Sequence, residues 1–216
     1  ISAGVPVSDS VIQNSKSFIL NKQNIDGGWA WNVGGTSDTN DTAVAISALL
    51  EVGVSQSDSV IQNAISYLKS AQNDDGGFPY DPVSPFGTDS DANSDAWVIS
   101  VINKLGEDPT TWTKNGRNPV QHLLSLQDED GGFWWMPEGT EFNNKAATAD
   151  AVIALSGKSF PVGRLNPSTS AGVFFRIVGS KEEICRGVVV AETALDVVIN
   201  AADECGYTYE IQDTSF

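Results

Sequence analysis

The sequence predicts a mainly α-helical chain in which three helical hairpins follow one another and precede a small α+β domain. Three observations lead to this prediction. The heptapeptide SDSVIQN occurs at residues 8–14 and again at residues 57–63. A Gln, an Asp-Gly-Gly triplet and aromatic residues follow each copy and occur a third time further on. Beyond about residue 160 the helical periodicity gives way to the alternation that is typical of strands. Repeats of about 50 residues indicate a stacked, repetitive architecture.

The loop of each repeat carries the clearest motif of the chain. It has a Gln, a spacer that ends in Asp, a Gly pair, and aromatic residues directly after the pair and two positions later. We expect the Gln side chains to bond to the loop backbone and the first aromatic residue to pack between neighbouring hairpins. The three copies are Gln23, Asp26, Gly27, Gly28, Trp29 and Trp31; Gln72, Asp75, Gly76, Gly77, Phe78 and Tyr80; and Gln127, Asp130, Gly131, Gly132, Phe133 and Trp135.

The first helix of each repeat is predicted to be amphipathic. It begins at Ser10 or Ser59, and Gln13 or Gln62 three residues later completes a capping-box pattern. In the second repeat the apolar residues from Val60 to Leu68 lie on one stripe of the helix. We therefore expect an outer helix with one solvent-facing side.

The second helix of each repeat is apolar on nearly every face, as expected for an inner helix that is buried all round. The predicted spans are about 41–50, 96–105 and 146–155. Side-chain oxygens and negative charge suit the amino-terminal end of a helix. The predicted caps are Asp38 or Asp41 in the first repeat, Asp91 or Asn93 in the second, and Thr148 in the third.

The chain divides into two predicted domains joined by a segment rich in Gly, Pro and Ser. The helical domain covers residues 1–160, with repeats at about 8–53, 57–106 and 117–158, the linker covers 161–171, and a small β-rich domain covers 172–216. In the second domain we expect strands at 172–179, 187–190 and 207–211 and a helix at 193–205. Three strands and one helix leave an open sheet edge, so this domain is expected to be incomplete.

The composition excludes several classes of function. Asp and Glu total 28 against 12 Lys and Arg, a net charge of -16, which would repel a nucleic-acid backbone. No apolar run approaches the roughly 20 residues of a membrane span. His122 is the single histidine, and no Cys precedes Cys185, so the helical domain lacks the ligands of a zinc site. The Asp89–Asn93 run begins like a calcium loop but lacks its Gly and its final Glu. We expect no metal.

The repeated loop resembles that of squalene and terpene cyclases and of protein prenyltransferase β subunits, whose fold is an α/α toroid. The resemblance covers residues 8–158. It implies a ring of about twice as many hairpins, so the three seen here form an incomplete ring whose remainder is expected on another segment or chain. The same toroid also serves complement-type thioester domains and cobalamin carriers, so the resemblance implies a fold and not one function.

Each function of this fold is associated with a sequence motif that can be looked for in the chain. The zinc ligands of the prenyltransferases and the Cys-Gly-Glu-Gln stretch of the thioester proteins are absent. Terpene cyclases of one class carry Asp-x-Asp-Asp-Thr-Ala, whose middle Asp protonates an alkene. Residues 38–43 are the nearest match, but Asn40 stands at the acid position, and an amide has no acidic proton. We therefore expect a non-catalytic binding protein. The alternatives are a terpene-cyclase-like enzyme that uses Asp38, Asp41 or Asp91 as acid, and a structural or adhesion module.

The second domain carries a weaker resemblance. Residues 193–196 and 207–210 resemble the start of the β-rich domain that follows the toroid in transcobalamin-like proteins and in bacterial surface proteins. This implies a secreted or cell-surface location and a cobalamin-like or other small cyclic ligand between the toroid mouth and the β domain, although no cofactor is firmly implied. Cys185 and Cys205 form either a disulfide or two buried thiols.

A ligand is expected at the rim formed by the starts of the inner helices, where a flat or amphipathic small molecule can stack on aromatic rings and form hydrogen bonds. The candidate binding residues are Trp31, Asn40, Asp41, Tyr80, Asn93, Asp95, Trp135, Thr148 and Asp150. No catalytic or metal-binding residue is predicted.

Overall fold

The computed structural model describes residues 5–84, 86–137, 145–160, 173–178, 183–189 and 194–206. The chain divides into two compact units, residues 1–163 and 164–216, and each is described by itself. The predicted linker at 161–171 and the predicted strand at 207–211 lie outside the described residues.

The first unit is built from helices, as predicted, and these helices form three consecutive hairpins. The outer helices are α1 (Ser10–Leu20), α3 (Ser59–Ala71) and α5 (Pro119–Ser125). The inner helices are α2 (Thr39–Glu51), α4 (Ala92–Leu105) and α6 (Lys145–Leu155), and a short 3-10 turn at Pro109–Thr111 precedes α5. The mainly helical fold class is therefore confirmed for the described residues.

The outer helices begin one residue earlier than a Ser cap would place them. The caps of α1 and α3 are Asp9 and Asp58, whose carboxylates accept the backbone N–H groups two residues on. The helices begin at Ser10 and Ser59, as predicted, but the capping box of the Ser residues was wrong, because the Asp directly before each Ser is the cap and accepts the N–H of Val11 or Val60. Gln13 Nε2 donates to the carbonyl of Val7, so the Gln closes the turn before the helix.

The inner helices α2 and α4 are capped by Asp38 and Asp91, in agreement with one of the two predicted options for each. Ten of the fourteen residues of α4 are buried. The expectation of burial on every side was wrong for α2 and α6, since Val44 and Val152 are exposed. Helix α4 alone has a neighbouring repeat on each side, so only it is enclosed.

The core of the first unit is divided between the two contacts of α4. One cluster joins α2 and α3 to α4 and includes Ile46, Leu49, Leu68, Phe78 and Ile102. The other joins α4 to α5 and α6 and includes Ala96, Ile99, Leu123, Phe133 and Ala151. All ten side chains are almost fully buried, and α4 contributes residues to both clusters, so it joins the apolar faces of its two neighbours.

The loop Gln residues bond to backbone carbonyls, as predicted. Gln23 Nε2 donates to the carbonyls of Gly27 and Val60, the second of which lies in the next outer helix. Gln72 Nε2 donates in the same way to Gly76 and to Trp112, and Gln127 Nε2 donates to Gly131. One amide group therefore holds its own loop closed and, in the first two repeats, ties that loop to the repeat that follows.

The first aromatic residue of each loop is tied to the inner helix through its backbone. Trp29 N–H donates to Thr42 Oγ1 at 2.9 Å, and Phe78 N–H donates to Asp95 Oδ1 at 2.7 Å. In the third repeat Phe133 N–H donates to Thr148 Oγ1 at 2.9 Å. Thr148 lies inside α6 and accepts this loop amide, so the prediction that it caps the helix was wrong.

The glycines of the loop are required by close backbone approach. Gly27 and Gly76 have φ angles of +92° and +87°, which side-chain-bearing residues rarely adopt. A β-carbon on Gly27 would lie 2.5 Å from the carbonyl oxygen of Asn63, and one on Gly76 would lie 2.7 Å from the backbone at Arg117. Each loop therefore packs directly against the backbone at the next outer helix.

The second unit contains a two-stranded antiparallel sheet and one helix among its described residues. Strands β1 (Val173–Val178) and β2 (Glu183–Val189) pair from Val173 opposite Val189 to Val178 opposite Glu183, and helix α7 (Ala194–Glu204) follows. A disulfide joins Cys185 to Cys205. Both cysteines pack against the buried side chains of Val189 and Ala201, so the disulfide links the sheet to the end of the helix.

The glycine contacts generate a prediction about stability. We expect Gly76→Ala to lower the free energy of unfolding by about 3 kcal/mol or more, because the β-carbon overlaps the backbone at Arg117. Gly131→Ala is the matched control, because its φ is also +87° but no described residue lies within 4 Å of the new β-carbon. The control should lose only about 1 kcal/mol of backbone strain. Urea unfolding of both variants measures the difference, and equal losses would contradict the close approach.

Candidate functional site

Two carboxyl groups lie together at the start of the first inner helix. Asp38 is almost fully buried, and its Oδ1 accepts the backbone N–H of Asp41 at 2.7 Å. Its Oδ2 accepts the backbone N–H of Trp31 at 3.2 Å. The side chain of Asp41 lies one helical turn further on and is half-buried. Asp38, which caps α2, and Asp41 thus form a carboxyl pair.

This arrangement raises the pKa of Asp38 from 3.8 to about 7. Burial is the main cause, since it disfavours the charged form, and a hydrogen bond to the Asp41 carboxyl and the charge of that group act in the same direction. The two backbone N–H donors oppose the change but do not offset it. Near neutral pH a substantial fraction of Asp38 therefore carries a proton, which is the state that a general acid requires.

The loop of the second repeat covers the carboxyl pair. The carbonyl of Tyr80 accepts the backbone N–H of Thr39 at 2.8 Å, in the first turn of α2. Burial and the charges of Asp38, Asp41 and Asp81 raise the pKa of the Tyr80 phenol. The phenol therefore stays protonated and can donate a hydrogen bond at the rim.

An apolar cleft of about 290 Å³ opens beside Asp41, between α1 and α2. Asp41 is its only carboxyl group and Lys22 its only cation among the lining residues. Its aromatic and aliphatic lining includes Phe18, Trp29, Trp31, Val33, Val44 and Ala45. The cleft thus combines an apolar wall with one acidic group, and that group is paired with a buried carboxyl that holds a proton.

The second repeat has the same cap with different surroundings. Asp91 accepts from the backbone N–H groups of Asn93 and Ser94, from Ser94 Oγ and from Trp135 Nε1. Burial raises the pKa of Asp91, while these donors act to lower it. In the second repeat Ser94 stands at the position equivalent to Asp41. The carboxyl pair is therefore specific to the first repeat.

Six of the nine predicted binding residues lie at the rim in two groups. Trp31, Asp41 and Tyr80 surround the cap of α2. Trp135 bonds to the cap of α4, and Asn93 Nδ2 donates to Asp150 Oδ2 at 3.0 Å, which joins α4 to α6. Asn40 lies in the first turn of α2, directly before Asp41. Its Oδ1 is buried and has no hydrogen-bond partner among the described residues.

Asp95 and Thr148 do not belong to the rim. Both accept the backbone amide of a loop aromatic residue, and Asp95 is fully buried. Asp95 Oδ2 also accepts from His122 Nδ1 at 2.6 Å, and His122 Nε2 lies 3.5 Å from Asp75 Oδ2. The expectation that Asp95 and Thr148 meet a ligand at the rim does not agree with these contacts, so we leave both out of the candidate site.

The Asp95–His122 pair was missed by reasoning from the sequence. Burial raises the pKa of Asp95 to about 6, although the bond to His122 opposes this. Burial also disfavours charge on His122, but Asp95 outweighs it and raises the pKa of the imidazole. Near pH 6.5 the two groups therefore form a charged, buried pair.

The repeat alignment contains the signal that would have found this pair. Counting back from the loop Gln, Phe18, Tyr67 and His122 hold the same position in α1, α3 and α5. Tyr67 Oη donates to the carbonyl of Ser37 in the preceding repeat, so this position faces the loop before it. The inner-helix position occupied by Thr42 is Asp95 in the second repeat. A His and an Asp thus appear together at one junction.

Other kinds of site receive no support from the described residues. The described part of the chain contains no group of three or more His, Cys, Asp and Glu side chains arranged to hold a metal ion. Within the same ranges no helix has the length and apolar character needed to cross a membrane.

Residues 2–145 match the squalene-hopene cyclase C-terminal domain. The chain belongs to this family. No curated protein matches the chain. Among solved structures, protein geranylgeranyltransferase-I of Candida albicans, determined in complex with GGPP, is similar with a TM-score of 0.51 and 20% sequence identity. The similarity covers 66% of this chain and 42% of that chain, so the domain spans less than half the length of this structural neighbour.

These similarities confirm the α/α toroid-type fold that the repeated loops predict. At 20% identity, the likeness to the transferase concerns the fold alone. The family match ends at residue 145, so the resemblance of residues 172–216 to transcobalamin-like domains stays a prediction.

The carboxyl pair predicts a pH dependence of stability. Because folding raises the pKa of Asp38 from 3.8 to about 7, the folded chain binds this proton more tightly than the unfolded chain. The resulting stabilisation is present below about pH 4 and is lost as the pH rises to about 7. Asp38→Asn keeps a good cap but cannot titrate. The wild type should therefore lose more stability than this variant between pH 5 and pH 8, by urea unfolding. Parallel curves would contradict the raised pKa.

A double-mutant cycle tests the coupling between Asp95 and His122. Asp95→Thr leaves His122 buried without its carboxylate, and we expect a loss of about 3 kcal/mol of unfolding free energy. His122→Tyr alone strands Asp95 and should cost a similar amount. The double variant reproduces the Thr and Tyr of the first junction, so it should recover most of the loss. Additive losses, measured by urea unfolding, would show that the two positions act independently.

Proposed function

We propose that the helical unit is a cyclase-type enzyme domain that binds a neutral, isoprenoid-like molecule in the cleft between α1 and α2. The proposal rests on one observation: a carboxyl pair that holds a proton near neutral pH lies beside an apolar, aromatic-lined cleft. Membership of the squalene-hopene cyclase C-terminal domain family supports it.

The charge of the site favours a neutral molecule over a diphosphate. The chain carries a net charge of -16, and the residues that line the cleft include the carboxyl group of Asp41. Lys22 is the only cation in the lining. A doubly or triply charged diphosphate would meet repulsion here, whereas a hydrocarbon or an isoprenoid alcohol would not. The transferase neighbour was determined with GGPP, so its ligand carries a group that this cleft does not suit.

The proposed reaction begins with proton transfer. An O–H bond of the Asp38–Asp41 pair breaks, a C–H bond forms on an alkene carbon of the substrate, and the pair is left with one more negative charge. Asp38 gives up this proton through the carboxyl group of Asp41, since Asp41 is the member of the pair that lines the cleft. The indole faces of Trp29 and Trp31 stabilise the resulting cation. Loss of a proton from the product cation back to the pair restores the acid.

A non-catalytic carrier is the second candidate, favoured by the amide of Asn40. This residue stands where the resembling cyclases have their acid, and its buried Oδ1 accepts no hydrogen bond among the described residues. A ligand hydroxyl or amide would satisfy that oxygen without any chemistry. The ligand would then be a cobalamin-like or other small cyclic molecule, as the predicted C-terminal domain implies. The disulfide between Cys185 and Cys205 supports a secreted or cell-surface location for either candidate.

Ligand titration with Trp fluorescence tests the proposal. We expect geranylgeraniol to bind, the corresponding diphosphate to bind at least about tenfold more weakly, and Trp31→Ala to weaken geranylgeraniol about tenfold. Asp41→Ser introduces the residue of the second repeat and should leave binding intact. Incubation of polyprenyl substrates in deuterated water should place deuterium in a cyclised product with the wild type and not with Asp41→Ser.

The control and the contrary outcomes separate the candidates. Asp74→Asn removes an exposed carboxylate away from the cleft, so it should change neither binding nor deuterium incorporation. Binding without deuterium incorporation would refute the enzyme and favour the carrier. Binding of cobalamin that is unaffected by Trp31→Ala, with no binding of geranylgeraniol, would refute the cleft as the site.

A further inference from the structure

We propose that this chain associates head to tail with a second copy of itself, through α1 of one copy and the loop of the third repeat of the other. The proposal rests on the way successive repeats join inside the chain, and it is independent of the proposed function. Each copy carries both halves of one interface, and within the chain a loop already docks on the next outer helix, or on the backbone just before it, at two junctions.

The junction between the first and second repeats defines the interface. Gln23 Nε2 of the loop donates to the carbonyl of Val60 at 2.8 Å. Gly27 of the same loop packs on the backbone of Asn63. Tyr67 Oη donates to the carbonyl of Ser37 at 2.7 Å. A loop thus docks on the first turns of the next outer helix, and a ring from that helix docks back on the loop.

The second junction is comparable, although the backbone that the loop contacts there lies just before α5. Gln72 Nε2 donates to the carbonyl of Trp112, and Gly76 packs on the backbone at Arg117. His122 takes the place of Tyr67 and bonds to Asp95. The interface therefore depends on its backbone geometry and tolerates changes in its side chains.

Helix α1 presents the helix half of this interface to solvent. Its SDSVIQN segment is identical to that of α3, which receives a loop. Val11 is 65% exposed, whereas the equivalent Val60 is 9% exposed. Phe18 is 56% exposed, whereas the equivalent Tyr67 is 7% exposed. Helix α1 has no buried residue, while α3 has seven. The surface that binds a loop in α3 is thus present and uncovered in α1.

The third loop presents the other half. Gly131 has the same φ of +87° as Gly76 but is exposed, and no described residue lies within 4 Å of a β-carbon built on it. Gln127 is also exposed, whereas Gln72 is buried. Its amide closes the loop through Gly131, and the onward bond that Gln23 and Gln72 make to the next repeat has no counterpart among the described residues. At Gly131 this loop has the φ of the docked loops, and no helix of the described residues packs on that glycine.

The two halves fit each other and not themselves, so the contact is heterologous. A helix docks on a loop, which leaves a free loop on one copy and a free helix on the other, and further copies can add in the same way. Phe18 belongs to the docking face and also lines the cleft. A docked copy therefore competes with a ligand in the cleft; this last consequence alone rests on the proposed function.

Sedimentation of the whole chain without ligand tests the association. The weight-average mass of the wild type should rise across about 1–200 µM. Val11→Arg places a charge in the helix half, and Gly131→Leu blocks the loop half, so each should abolish the rise. Ser17→Arg lies on a face of α1 whose equivalent in α3, Ser66, stays exposed, and it should associate like the wild type. Gly106→Leu imposes a similar left-handed backbone strain in open space and should also associate.

Mixing the two blocked variants distinguishes this interface from any other. Val11→Arg keeps an intact loop and Gly131→Leu keeps an intact helix, so an equimolar mixture should form a 1:1 dimer and nothing larger. A wild type that stays monomeric throughout the range overturns the proposal. Self-association of either folded variant, verified by circular dichroism, or failure of the mixture to dimerise, overturns it as well. None of these outcomes bears on ligand binding, so the proposed function stands or falls separately.

Discussion

The structure depends on the need to satisfy the backbone of the Asp-Gly-Gly-aromatic loop. Nearly every polar group of this loop is bonded by a neighbour: the Gln amide closes it, the Asp carboxylate accepts the N–H of the second Gly, and an inner-helix side chain accepts the N–H of the aromatic residue. Because burying an unbonded amide is costly, these contacts determine where the outer helix, the inner helix and the next outer helix lie. The apolar side chains then pack in the space between these helices.

A scaffold held by backbone contacts leaves certain side-chain positions free to change. The position of Thr42 becomes Asp95, that of Tyr67 becomes His122, and that of Asp41 becomes Ser94, while the loop geometry stays the same. Asp95 has His122 as its partner, which limits the cost of burying its charge. In the first repeat the result is a carboxyl pair beside an apolar cleft, and in the second it is a charged pair inside a junction. The chemistry of each repeat is thus decided by a few residues at fixed positions.

The sequence predicts the hairpins, the loop bonds of the Gln residues and the burial of Trp29, Phe78 and Phe133, because these follow from periodicity and local motifs. It did not predict the cap of α1, which is Asp9 and not Ser10. The Asp95–His122 bond joins residues that are 27 positions apart, so it emerges only when the repeats are superposed. The raised pKa of Asp38 also lies beyond the sequence, because it depends on burial and on the distance to Asp41.

The carboxyl pair of the first inner helix holds a proton near neutral pH, in a cyclase-type fold whose usual acid position is the amide of Asn40 in this chain. Such a proton makes the cleft an acid site, and without it the site is an apolar groove suited only to binding. Carbon-13 NMR titration of the Asp carboxyl carbons measures the pKa of Asp38 directly. The resonance that disappears in Asp38→Asn identifies the signal of Asp38. We expect the Asp38 resonance to titrate near pH 7. A midpoint close to the ordinary value of 3.8 would contradict it.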